Sequence, residues 1–198
     1  MSTQTKHLIS PEEYLAIERS AEVRSEFYRG EMLPMVGGSR VHSLIKSNTA
    51  RSLGNQLQSG DCEVHSSDLR VKAPAMASYT YPDVLVLCGE PELEDHHLDT
   101  LLNPVVIFEV LSPSTEAYDR GDKSVQYRTI GSLREYVLVS QQVPRVEQLV
   151  RQDSGGWLLT ETHRLDDVLE LPSIGCRLPL REIYAKVDFQ NAERAKAD

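Results

Sequence analysis

No stretch of 18 or more apolar residues occurs in this sequence, so it lacks the segment that a membrane-spanning helix needs. Its beginning, MSTQTKHLIS, also lacks the basic and then apolar pattern of a signal peptide. Both absences lead us to expect a cytoplasmic protein with no membrane contact. The 198 residues are enough for one sizeable core. We expect a single domain over residues 1–198, with a core from about residue 10 to 185 and a polar tail over 186–198.

Cysteine is scarce, and its spacing matches no common framework. The three cysteines, Cys62, Cys88 and Cys176, are an odd number at unrelated spacings, with no CxxC pair. This pattern argues against both a disulfide framework and a zinc site. We therefore expect all three side chains to be small buried hydrophobic groups.

Basic residues are outnumbered by acidic ones, and the formal net charge is -9. Residues 1–72 carry nine of each sign, so the acidic excess lies in residues 73–198. Nine acids fall in the stretches 90–99 and 161–170, which we interpret as a solvated acidic surface. An alternative is that segment 89–99 contacts a partner protein. The charge balance argues against tight, nonspecific binding of nucleic acid, because such binding needs Lys and Arg to neutralise phosphates.

Several motifs of familiar enzyme classes are missing. The sequence has no glycine-rich loop of the P-loop or dinucleotide-binding type. Ser112 and Ser114 flank a proline, but no Gly-x-Ser-x-Gly elbow surrounds them. These absences argue against a nucleotide-hydrolysing P-loop protein, a dinucleotide-dependent enzyme and a serine hydrolase.

The residues that are present predict an α/β protein with a mixed central sheet. Helices are predicted over 11–19, 41–57, 119–130 and 180–184, the first with a capping box at Ser10 and the third with Asp119 as its cap. Strands are predicted over 62–73, 83–88, 105–111 and 134–140, with hairpins turning at residues 29–30 and 153–155. The strand, helix, strand order over 105–140 predicts two parallel neighbouring strands.

One carboxylate interrupts an otherwise apolar strand. Glu109 lies within VVIFEVL, and Asp83 begins the preceding apolar strand. If these two strands pair antiparallel, Asp83 lies beside Glu109, and Lys123 on the following helix can lean over both. Two buried carboxylates repel each other and need a cation. Mg²⁺, or Mn²⁺, is the natural occupant, and it supports hydrolysis of phosphodiester bonds.

These residues resemble the active-site pattern of the PD-(D/E)xK nuclease superfamily. The segments EFYRGEMLPM, PDVLVL, FEVLSPST and REYVLVS resemble in particular a large bacterial family described as "putative restriction endonuclease", over roughly residues 10 to 185. The resemblance implies a restriction-endonuclease-like fold, with helices flanking the mixed central sheet. It also implies Mg²⁺-dependent hydrolysis of DNA and pairing as a homodimer. One position departs from the superfamily pattern, since Leu111 stands where the motif has lysine.

The resemblance also implies roles for individual residues. Asp83 and Glu109 would bind the metal, and Lys123 would take the place of the missing lysine. The backbone carbonyl of Val110 would be a further ligand, and Glu26 would lie near the metal.

Two further positions and one alternative function complete the expectations. His42 and Asp68 match polar positions of the resembled family and are possible accessory residues. The alternative is a noncatalytic nuclease-like scaffold that binds nucleic acid or a protein partner. The net negative charge and the absence of a DNA-reading motif favour this alternative.

Overall fold

The computed structural model describes residues 8–35 and 37–189. Its helices are α1 (Pro11–Glu18), α2 (Arg40–Leu57), α3 (Glu116–Tyr118), α4 (Ser124–Arg128) and α5 (Leu180–Ile183), with a π-helical turn over Asp119–Lys123 that joins α3 to α4. Its strands are β1 (Ser25–Tyr28), β2 (Glu31–Pro34), β3 (Cys62–His65), β4 (Arg70–Ala73), β5 (Ser78–Thr80), β6 (Val84–Cys88), β7 (Thr100–Leu101), β8 (Val106–Leu111), β9 (Glu135–Ser140), β10 (Val146–Arg151), β11 (Trp157–Thr162), β12 (Val168–Leu171) and β13 (Cys176–Pro179).

A mixed six-stranded sheet forms the centre, in the order β11-β10-β9-β8-β6-β3. Strands β8 and β9 are parallel, which confirms the predicted strand, helix, strand unit. Strands β6 and β8 are antiparallel, as the sequence predicts. A five-stranded sheet, β2-β1-β5-β4-β7, and the β12-β13 pair lie beside it. The α/β class with a mixed central sheet is therefore confirmed.

The two faces of the central sheet carry separate hydrophobic clusters. Val84 and Phe108 belong to the cluster that contains residues of α2, α5 and β13. Leu85 and Ile107, the next residues along the same strands, belong to the cluster that contains Tyr127. Successive strand residues point to opposite faces, so a strand covered on both sides needs continuous apolar sequence. This is why β6 and β8 contain almost no polar residues.

Two predicted elements have different boundaries in the structure. The segment 62–73, predicted as one strand, is divided between β3 in the central sheet and β4 in the second sheet. The chain turns between them at Ser67, which has φ 60°. The helix predicted from Asp119 begins instead at Glu116, so Asp119 is not a helix cap. The backbone N–H of Asp119 donates to the carbonyl of Thr115, inside the helix.

The expectation for the cysteines was wrong for two of the three. Cys62 and Cys88 form a disulfide between β3 and β6, where they are directly opposite in the strand register. Opposite residues of an antiparallel pair bring their Cβ atoms within disulfide distance. Cys176 is free and buried, as expected.

Several acids of the stretch 90–99 form ion pairs with cations of the same chain, so this stretch is less solvated than the sequence predicts. Arg19 forms ion pairs with Asp95 at 2.8 Å and with Asp99 at 2.9 Å. Asp99 also contacts the buried Arg70 at 2.8 Å, and Lys72 pairs with Glu94. These bonds attach the segment after β6 to α1 and to the second sheet.

The first residues of the predicted C-terminal tail are packed against the core. The last nine residues of the predicted tail lie outside the described residues, whereas Val187 and Phe189 pack against the first hydrophobic cluster. Among the described residues, no helix combines the length and apolarity needed to cross a membrane.

Candidate active site

Asp83 and Glu109 lie side by side where strands β6 and β8 of the central sheet begin and end, respectively. Val84 is paired with Phe108 in the antiparallel register. Asp83, which precedes Val84, therefore lies opposite Glu109, which follows Phe108. Directly opposite residues share a face of the sheet. The Asp83 Oδ2 atom accepts a hydrogen bond of 2.8 Å from the backbone N–H of Val110. Glu109 is 3% exposed, so its carboxylate is taken out of water.

Lys123 lies over these acids from the π-helical turn. Its Nζ atom is 2.9 Å from Oε1 of Glu109 and 2.9 Å from Oε1 of Glu26. Asp119, one turn earlier, lies 3.7 Å away. Burial alone would lower the pKa of Lys123, but the surrounding carboxylates, Glu109 first and then Glu26, raise it well above its ordinary value. Lys123 is therefore an ammonium ion at neutral pH.

The carboxylates around Lys123 outnumber their cation. Burial raises the pKa of Glu109 well above its ordinary value, and although Lys123 opposes this, Asp119, Asp83 and Glu26 add to it. Burial raises the pKa of Asp119 in the same way. Raised pKa values mean that these acids favour the uptake of a further positive charge, either as protons or as a bound cation.

His42 from α2 supports Asp83 on its other side. Its Nε2 atom is 3.1 Å from Asp83 Oδ2. Burial raises the pKa of Asp83, but the contact with His42 and the Val110 N–H outweigh it, so the pKa lies below its ordinary value. The His42 ring fits because residue 38 is glycine: a Cβ there would lie 2.7 Å from the ring Nδ1.

Glu26 reaches the site from the β1-β2 hairpin. The hairpin turns at Arg29 and Gly30, both with positive φ, at the position that the sequence predicts. The Oε1 atom of Glu26 also accepts a hydrogen bond of 3.1 Å from the backbone N–H of Tyr81, so the side chain is fixed between β5 and the helix turn. The hairpin thus closes one side of the site.

The site opens into a cavity of about 470 Å³. Its walls include Glu26, Asp83, Glu109, Lys123 and His42, together with the loops 37–39 and 112–115. A cavity of this size holds a small ligand or a segment of a polymer. The acids therefore face a space that a substrate can enter.

The oxygen atoms at the floor of the cavity suit a hard divalent cation. Mg²⁺ takes one or two carboxylates and keeps several waters, and Asp83 and Glu109 supply two. Continuing the strand register places Pro82 opposite Val110. Proline has no N–H, so Pro82 cannot donate a strand hydrogen bond to the Val110 carbonyl. Among the residues that the structure describes, no group of three or more His, Cys, Asp or Glu side chains is arranged to hold a metal ion by itself.

Comparison with known proteins assigns the chain to a family. A family model described as "Uma2: Putative restriction endonuclease" matches residues 11–181. The chain belongs to this family. Two uncharacterized proteins of Synechocystis sp. are similar to it: slr1290 is 38% identical over 91% of this chain and 94% of its own length, and sll1609 is 37% identical over 81% and 91%.

A solved structure shows the same fold. The crystal structure of a putative nuclease belonging to DUF820 from Anabaena variabilis superimposes with a TM-score of 0.74. The match covers 89% of this chain and 98% of that chain, at 17% sequence identity. The fold of this Uma2-family chain is therefore nuclease-like.

Among the accessory residues expected from the sequence, Asp68 does not lie at the site. Its side chain is 82% exposed and forms an ion pair with Arg24, away from the cavity. The turn that divides β3 from β4 carries it outward. His42, the other accessory residue, lines the cavity.

Two residues of this Uma2-family site escaped the sequence reasoning. Asp119 contributes a third buried carboxylate beside those of Glu26 and Glu109, and the hydroxyl of Tyr127 donates a hydrogen bond of 2.9 Å to Glu109 Oε1. Both lie four residues from Lys123, on the same face of the helix, and this spacing was the available signal. The sequence gives no indication that Asp119–Lys123 forms a π-helical turn, although such turns are frequent at functional sites.

Proposed function

We propose that this Uma2-family protein is a metal-dependent endonuclease that hydrolyses phosphodiester bonds in DNA. One observation carries the proposal: Asp83, directly before β6, and Glu109, on the adjacent strand β8, lie beside the buried ammonium of Lys123 at the floor of an open cavity. The family description and the nuclease-like fold support the same class of reaction.

In this proposal Asp83, Glu109 and the Val110 carbonyl hold Mg²⁺ or Mn²⁺, and Glu26 holds a second ion or its water. When bound, such an ion acidifies a water and offsets negative charge on the phosphate. Tyr127 and Lys123 both contact Oε1 of Glu109, which orients this carboxylate.

Lys123 stabilises charge in this proposal and does not remove a proton. Its Nζ atom lies 2.9 Å from both Glu109 and Glu26, and carboxylates this close favour the protonated ammonium. A fixed ammonium close to the scissile phosphate stabilises the negative charge of the transition state. Asp83, whose pKa is lowered, stays ionised as a ligand over the neutral range.

The proposal is tested by cleavage and by metal binding together. Asp83→Ala and Glu109→Ala should abolish Mg²⁺-dependent cleavage of DNA while the protein stays folded. At a hundredfold excess over Kd, Mg²⁺ or Mn²⁺ should add about 2.7 kcal/mol to the free energy of unfolding of the wild type and so raise its melting temperature. Glu109→Gln should remove that increase, and Asp68→Asn, outside the cavity, should leave it unchanged. Wild-type protein that cleaves no DNA or RNA with either metal would disprove the enzyme assignment.

A noncatalytic scaffold that binds nucleic acid or a protein partner is the second candidate. Lys123 already contacts two carboxylates at 2.9 Å, so a structural ion-pair cluster also accounts for part of their burial. The thermal titration separates the two candidates, because a scaffold would show no response to Mg²⁺ or Mn²⁺ and no change with Glu109→Gln.

A further inference from the structure

The segment that forms α2 is free of acidic residues, although the chain as a whole is acidic. Between Glu31 and Asp61 the sequence contains no Asp or Glu, in a protein where these make up 30 of 198 residues. The same segment contains Arg40, Lys46 and Arg51. This segment of the chain therefore carries local positive charge against the net charge of -9.

Two of these cations and two serines lie along one exposed stripe of α2. Arg40, Ser43, Ser47 and Arg51 are all exposed. At 100° per residue the four positions fall within about 80° of each other around the helix, and they span about 16 Å along it. The opposite side of α2 packs into the core through Ile45 and Leu53, so the stripe is fixed in place.

The stripe begins at the mouth of the proposed active site. Ser39 and His42, at the first turn of α2, line the cavity that contains Asp83 and Glu109. From there the stripe leads away from the reacting groups. Within residues 8–35 and 37–189, neither Arg40 nor Arg51 forms an ion pair, whereas most cations near the acidic stretches are paired. Lys46, on the flank of the stripe, donates a hydrogen bond of 2.8 Å to the Ser67 hydroxyl.

We propose that this stripe, Arg40, Ser43, Ser47 and Arg51, binds the phosphate backbone of the nucleic-acid substrate and leads it into the cavity. The inference rests on the proposed function and names the surface that holds the polymer. Arginine and serine side chains are common donors to phosphate oxygens. About 16 Å matches the axial rise of roughly five nucleotides in one strand of a duplex. A polyanion can therefore dock on a chain with excess acid, because the four exposed residues of the stripe include two arginines and no acid.

The test measures binding apart from cleavage. Duplex DNA, single-stranded DNA and RNA of equal length are titrated by fluorescence anisotropy in EDTA, so that the reaction cannot proceed. The variants are Arg51→Glu and the double variant Arg40→Glu with Arg51→Glu. Both should fold, since Arg51 is exposed and a glutamate in the first turn of a helix is favourable. The matched control, Arg134→Glu with Arg164→Glu, makes the same charge change at exposed arginines, the first of which precedes β9 at the other end of the parallel strands.

The expected result is a loss of affinity of roughly tenfold or more at about 0.1 M salt for the α2 double variant, with a shallower salt dependence by about two ions. The control should retain nearly wild-type affinity and slope. The polymer with the largest loss identifies the substrate class. Equal affinity of the α2 variant and the wild type, or an equal loss in the control, would overturn the inference. In that case, cleavage by the wild type would still support the proposed enzyme. Binding through α2 without any cleavage would support the binding surface and disprove the enzyme assignment.

Discussion

Lys123 holds together the charges of the candidate site, and its removal should leave several buried carboxylates without a cation. We expect Lys123→Met to destabilise the protein by about 3–5 kcal/mol at neutral pH. The pKa values of Glu109 and Asp119 are raised in the folded protein, so the folded state binds more protons than the unfolded one. Stability therefore falls as pH rises from the ordinary carboxyl pKa toward these raised values. Without Lys123 this fall becomes steeper.

The pH dependence gives the measurement for this prediction. Urea denaturation at pH 5 and at pH 8 should show a smaller deficit for Lys123→Met at the lower pH, where the carboxyls take up protons. Lys46→Met, which removes a part-buried lysine hydrogen-bonded to Ser67, serves as the control and should cost less than about 1 kcal/mol at both pH values. A deficit that does not depend on pH would contradict the charge argument.

Tyr127 is a positioning residue for Glu109 at this same scale. Tyr127→Phe removes the hydroxyl that donates to Glu109 Oε1, so we expect metal affinity to fall by about 10- to 100-fold. Tyr136→Phe is the matched control, because its buried hydroxyl donates to the Asp119 carbonyl and not to a carboxylate. Both variants should lose about 0.5–1.5 kcal/mol of stability. Equal metal affinities in a thermal titration of the two variants would disprove the positioning role.

Two glycines should respond in opposite ways to alanine at the scale of elements. Gly30 turns the β1-β2 hairpin at φ +83°, and a Cβ there would lie 2.9 Å from the Cβ of Leu8. Gly54 lies within α2, and a Cβ there would meet nothing within 4 Å. Chemical denaturation should show Gly30→Ala destabilised by about 1 kcal/mol or more, and Gly54→Ala stabilised by about 0.5–1 kcal/mol. A gain in stability for Gly30→Ala would show that the turn does not need its positive φ.

The disulfide links the edge strand β3 to β6, the strand that Asp83 precedes. Closing a loop of 26 residues contributes up to about 3 kcal/mol. Reduction should therefore lower the melting temperature by roughly 5–10 °C. The double variant Cys62→Ser with Cys88→Ser should already melt lower and should not respond to reductant. A wild type whose melting temperature is insensitive to reductant would show that the bond contributes little.

At the scale of the whole molecule, the resemblance to the nuclease family predicts a homodimer. Light scattering should then report twice the 22.3 kDa mass of one chain. Asp83, Glu109 and Lys123 meet within one chain, so we expect nicking activity per chain to stay constant as dilution separates the dimer. Activity that rises with the square of concentration would instead show that the partner completes the site.

Much of the fold follows from local pattern, and the reasons differ between elements. The capping box at Ser10 and Glu13 is visible in four residues, and the structure contains both of its hydrogen bonds. The disulfide could not be predicted, because it depends on the register of β3 against β6. Asp119 was misread as a cap because the start of its helix is decided by the turn over residues 112–115, where Ser112 bonds to Thr115.

The sequence by itself determined the alternation of elements, the continuous apolar strands and the odd carboxylate at Glu109. These are properties of short segments, whose periodicity and caps are local. Tertiary structure alone decided which side chains meet: Lys123 between Glu26 and Glu109, Tyr127 on Glu109, and Cys62 on Cys88. Such contacts depend on strand register and helix position to within a few ångströms, because a shift of one residue turns a side chain to the opposite face of its sheet.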